Sequence, residues 1–170
     1  MFIHFPKMPL AVEGTDYISL PKMVTVRQRY DERKISDISG HIRLQMQKGI
    51  DHKDSFADKR ICITVGSRGI PHLPVMVRTL CETLKEWKAR PFLVPAMGSH
   101  GGATAQGQLD VLSAYGITEA AMEGPIYSSM DVVQYAQLDG IPLYCDKHAY
   151  HADGVIVFNK VKPHTDFRGK

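Results

Sequence analysis

Three side chains that can bind or move charge stand just beyond three short apolar runs, each in a turn-forming stretch. Arg68 lies in Gly66-Ser67-Arg68-Gly69, His100 in Gly98-Ser99-His100-Gly101-Gly102, and His164 ends Asn159-Lys160-Val161-Lys162-Pro163-His164. A guanidinium offers a planar fork of donors that matches a carboxylate or phosphate. An imidazole gives or takes a proton near neutral pH. One such arginine and two such histidines could hold a carboxylate and address the neighbouring carbon from both faces. Inverting a stereocentre needs that pair, because an acid or base must stand on each side of the carbon. Glycines around Arg68 and His100 let the backbone turn tightly and approach a ligand, and a helix N-terminus behind each turn would suit an anion. Taken singly, each residue is as well explained by a satisfied backbone carbonyl or a solvated loop. Their joint placement at successive strand ends is the signal.

Other constellations point to less. His148 and His151 are spaced as a metal pair on one helical face, but no third ligand accompanies them, and a solvated helix surface accounts for them better. Neither glycine turn has the G-x-S-x-G order of a hydrolase elbow, although Ser99 precedes His100. Neither has the spacing of a P-loop or of a dinucleotide fingerprint. Lys160 and Lys162 could attract an anion as auxiliaries.

The elements that would position these turns follow from the apolar pattern. Ile61 to Val65 and Phe92 to Met97 are uncharged, β-rich runs on either side of Val75 to Trp87, which is long enough for a helix. Gly66 and Gly98 are about 30 residues apart, the length of a strand, crossover helix and parallel strand, so the two strands should be neighbours or nearly so. A helix is expected from Ala103 to Tyr115, stopped by Gly116. Val132 to Leu138 and Ile141 to Cys145 flank Asp139-Gly140 as a hairpin, and Gly154 to Phe158 is a further strand. Upstream, Ser36 or Asp37 caps a helix carrying Ile38, Ile42, Leu44 and Met46 that Gly49 ends, and Met23 to Arg29 alternates like a strand. The expected fold class is α/β, a Rossmann-like layered domain with a mostly parallel sheet flanked by helices. Residues 1–58 form an N-terminal strand and helix wrap within the same domain, and 59–170 form the α/β core. In such sheets ligands bind beyond the carboxyl ends of the strands, where all three turns fall.

Composition sets the class. The chain has 170 residues, 44% apolar and 23% charged, with 21 Lys+Arg against 18 Asp+Glu for a net charge of +3. That is an ordinary globule with no basic block for nucleic acid and no run long enough to span a bilayer. Three widely spaced cysteines, Cys62, Cys81 and Cys145, argue for packed, reduced thiols and a cytoplasmic setting.

The three turns also carry a resemblance. Gly66-Ser67-Arg68-Gly69, Ala96-Met97-Gly98-Ser99-His100-Gly101-Gly102 and Asn159-Lys160-Val161-Lys162-Pro163-His164-Thr165-Asp166-Phe167, in this order and spacing, resemble the N-terminal domain of the nickel-dependent lactate racemase family. The third motif is the most specific and the first the least. The resemblance implies an isomerase, a 2-hydroxy-acid racemase or epimerase that uses a nickel-pincer nucleotide as hydride acceptor. It implies His100 and His164 as the acid–base pair and Arg68 as the ligand of the substrate carboxylate. Ser67, Gly98, Ser99 and Gly101 are then the candidates for contact with the cofactor. Val65 stands where the family carries an aspartate, which leaves the hydroxy acid open. The family's tethering lysine and nickel-binding histidine fall beyond Lys170, so no metal ligand is expected within this chain. A missing C-terminal region is the expected partner, with inactivity of the chain alone and with self-association left open. Two other readings share the residues: a non-catalytic α/β module that binds a small anion or a partner, and a metal-free hydroxy-acid isomerase or dehydratase.

Overall fold

A computed structural model of the chain describes residues 22–30, 33–66 and 69–160. Two compact units divide at Met1–Lys34 and Ile35–Lys170. In the first, the described residues form no helix or strand, so the extended run expected at Met23 to Arg29 is not a strand. Neither sheet includes it, and alternation without a ladder leaves backbone groups to solvent. Residues 35–58, expected as part of the N-terminal wrap, belong to the second unit.

The second unit is an α/β structure. A three-stranded parallel sheet has the order β2-β1-β5, where β1 is Arg60–Val65, β2 is Arg90–Pro95 and β5 is Gly154–Phe158. A separate antiparallel pair joins β3, Val132–Leu138, to β4, Ile141–Asp146. Its turn places both Asp139 (φ 49°) and Gly140 (φ 81°) in the left-handed region, which the Asp-Gly dipeptide accommodates and the twist of a hairpin requires.

β1 is central and charge-free after Arg60 because both of its faces are covered. Ile61, Ile63 and Val65 enter the main core with Leu93 and with Leu73, Val77, Leu80, Cys81 and Leu84 of α2, Leu73–Glu86. Those five positions of α2 recur at helical spacing, which gives the helix one apolar face. Cys62 points to the opposite face, into a small cluster with Phe92, Val94 and Ala149. α1, Ile38–Gly49, packs on the outside of α2 after the Asp37 carboxylate caps it by accepting from the Gly40 N–H. Arg43 anchors it, reaching Glu86 at 2.6 Å and Glu82 at 2.7 Å. No helix among the described residues is long and apolar enough to cross a membrane.

Cys62 and Cys81 are buried and unpaired, whereas Cys145 is half-buried. Burial pushes the Cys62 thiol up to about 12 and the Cys81 thiol up to about 11. Both therefore ionise later in the fold than in the unfolded chain. Their contribution to stability is complete below the ordinary thiol pKa of about 9 and is lost as the pH rises through 11 and 12. Native protein treated with iodoacetamide at about pH 8 should be alkylated at Cys145 and spared at the other two. Peptide mapping that found all three labelled at the rate of unfolded chain would contradict this core.

Candidate functional site

The strand register makes the site edge. Val65, the last residue of β1, is the register partner of Pro95 in β2 and of Phe158 in β5, so the three strands end level. The ladder extends one residue further, since the Ala96 N–H donates to the Val65 carbonyl at 2.8 Å. The strand ends that precede Arg68, His100 and His164 in sequence therefore lie side by side. Strand order also reverses about β1, with the next strand in sequence on one side and the last on the other, the arrangement that opens a crevice at strand ends.

Ser67, Arg68 and His164 lie outside the described residues, so their side chains are not placed. Their immediate neighbours are. A β-carbon built on Gly66 would lie 3.7 Å from Asn159 Oδ1, and one on Gly69 would lie 3.4 Å from Lys160 Nζ. Gly66 and Gly69 thus both lie close to Asn159 and Lys160 at the exit of β5. Lys160 brings a cation to the same place, and Asn159 Oδ1 accepts from the Lys160 N–H at 2.8 Å.

The turn after β2 is described throughout. Gly98 has φ 60°, and a β-carbon there would meet nothing within 4 Å, so its backbone is open to a ligand. Ser99 is exposed and His100 half-buried, opening a single 3-10 turn, His100–Ala103, in which Gly101 and Gly102 have φ of 66° and 67°. Gly101 has a packing duty as well. A β-carbon there would collide with the Gly107 carbonyl and stand 2.6 Å from the Gln108 nitrogen, while one on Gly107 would collide with the Gly101 oxygen. The turn is pressed onto the start of α3, Ala105–Ala114, which begins two residues later than the helix expected from Ala103. Left-handed backbone at Gly101, Gly102 and Ala103 (φ 54°) keeps that stretch out of the helix.

Two residues not singled out by sequence reasoning tie down the turn on either side of His100. Thr104 caps α3 by accepting from the Gly107 N–H at 3.0 Å, and its hydroxyl donates to the Gly101 carbonyl at 3.0 Å. Gln108, 5% exposed, donates from Nε2 to the Gly98 carbonyl at 2.9 Å, so a buried amide ties the helix to the turn before His100. A polar residue on the inward face of a short helix was the available signal.

Comparison with family models, curated proteins and solved structures yields no match.

Other chemistry lies elsewhere. His148 stacks on Tyr127, ring centroids 5.0 Å apart, and His151 meets Tyr150 edge-on. No three His, Cys, Asp or Glu side chains converge among the described residues. A cavity of about 430 Å³ is found at the opposite end of the sheet, lined by Arg60 and Arg90, the first residues of β1 and β2. Volume favours that end and loop chemistry the other; the carboxyl edge remains the candidate for Arg68, His100 and His164 because register, rather than volume, brings their loops together.

Gly107→Ala should destabilise the protein by about 1–3 kcal/mol through overpacking. Gln108→Leu should cost about 1–3 kcal/mol by leaving the Gly98 carbonyl unpaired. Urea denaturation measures both, and wild-type midpoints would show that the contacts are dispensable.

Proposed function

We propose that the chain is the N-terminal part of a 2-hydroxy-acid racemase or epimerase whose substrate is held at the carboxyl edge of β2-β1-β5. The level ending of the three strands supports this reading, because it lets one substrate meet loops distant in sequence. In it, the Arg68 guanidinium binds the substrate carboxylate through paired N–H donors. His100 and His164 stand on the two faces of the carbon, one taking the hydroxyl proton as the other holds a proton to give, and they exchange roles in the reverse direction. Lys160 adds positive charge beside the arginine turn.

The cofactor that the resemblance implies is the nickel-pincer nucleotide, which supplies hydride acceptance. The resemblance assigns its tether and its nickel ligand to another region of such enzymes. Ser67, Gly98, Ser99 and Gly101 would offer it backbone and hydroxyl contacts. Three cysteines free of disulfides favour a cytoplasmic setting.

Racemisation of enantiopure 2-hydroxy acids by the full-length, cofactor-loaded protein tests the proposal. His100→Ala and His164→Ala should each lower kcat by about 10² or more. Arg68→Ala should raise KM for the hydroxy acid. Undiminished turnover in both histidine variants would refute it, and saturable carboxylate binding without turnover would favour the anion-binding module.

A further inference from the structure

The amino-terminal end of the sheet carries a different arrangement. Arg60 and Arg90 open adjacent parallel strands and are register partners, so two guanidinium-bearing residues stand side by side. Like charges directly across a ladder are destabilising unless something between them carries the opposite sign. Neither guanidinium forms a salt bridge with a described residue. The Arg60 guanidinium stacks over the Phe92 ring, 5.2 Å from its centroid, and donates no hydrogen bond to any described residue. Arg90 is fixed by two donations to one neutral acceptor, the Asp58 carbonyl, at 2.6 and 2.9 Å. The nearest carboxylates are engaged. Asp153 accepts from the Arg60 backbone N–H at 2.7 Å and pairs with Lys59 at 3.4 Å, and those contacts, together with the charge of Arg60 itself, hold its carboxyl below the usual range. Glu123 faces Lys85 at 3.6 Å and Arg78 at 3.4 Å.

Both arginines line the cavity of about 430 Å³, within the range of small-ligand sites. Stacking fixes the face of the Arg60 guanidinium and leaves its in-plane donors for an acceptor. Two guanidiniums fit a doubly charged, three-oxygen acceptor better than a single carboxylate. The same cavity is bordered by Tyr127, 37% exposed, whose ring stacks on His148 at 5.0 Å and meets Phe92 at 5.3 Å between centroids, so that a fixed aromatic ring borders the charges.

We propose that this cleft binds a phosphomonoester whose organic group is a flat ring, with the phosphate on Arg60 and Arg90 and the ring against Tyr127. The site is separate from the carboxyl-edge loops and does not depend on the racemase reading.

Calorimetric titration of the 170-residue chain with phenyl phosphate, inorganic phosphate and phenol tests it. Phenyl phosphate should saturate one site and bind at least about tenfold more tightly than inorganic phosphate, with phenol weakest. Arg60→Gln and, independently, Arg90→Gln should each weaken phenyl phosphate at least about tenfold, with circular dichroism reporting the fold. Tyr127→Ala should weaken phenyl phosphate while leaving inorganic phosphate unchanged. Equal affinity for the two phosphates, or wild-type affinity in a folded arginine variant, would overturn the proposal.

Discussion

The parallel ladder on both sides of β1 is the constraint on which the rest of the second unit depends. It runs from Arg60 beside Arg90 to Val65 beside Pro95, and on the other side from Ile61 beside Gly154 to Val65 beside Phe158. Because β1 is buried on both faces, a slip of one residue would exchange Ile61, Ile63 and Val65 for Cys62 and Thr64 against α2. The register is thus set by the core, and both ends of the sheet inherit it. At one end, three loops far apart in sequence emerge level. At the other, two arginines are forced into adjacency.

Most of this architecture was legible because it rests on short-range patterns. The uncharged runs at residues 61–65 and 154–158, the apolar stripe of α2 and the Asp139-Gly140 turn each encode their element locally, and the structure has all of them. Met23 to Arg29 was misleading for a physical reason. Alternation describes a strand only when a partner supplies the ladder, and no residue pattern within the run specifies one. The placement of α1 with the core follows from its apolar positions Ile42 and Met46, which pack against it, whereas the partners of Arg43, Glu82 and Glu86, lie about 40 residues away and leave no periodic trace.

The turn around His100 shows how far motif reading goes. Its glycines suggest freedom for a ligand to approach, and Gly98 has open space around it. At Gly101 the same residue type answers another need, contact with Gly107, which lies six positions on in what reads as plain helix. Two glycines facing each other are a tertiary fact. Neither one announces the other in sequence, and Gln108 becomes meaningful only once the turn it ties down is in place.

The two sheet faces are finished to different degrees, and this bears on how the ends can be used. The face toward α2 is dense: Ile63, Leu84, Leu93 and Leu112 are all at most 1% exposed. The opposite face is covered by a small cluster around Cys62, and Val155 and Val157 of β5 stand out at 46% and 75% exposure. β1 is therefore held rigid chiefly by one side, and a side chain at a strand end is positioned by how firmly its strand is clamped from that side. Arg60, opening the central strand, and the Gly66 turn, closing it, share that support; the exit of β5, from which the His164 stretch departs, shares less of it. The turn carrying His100 takes its support from that side, tied through Gly98 and Gln108 to a helix that packs on the dense face.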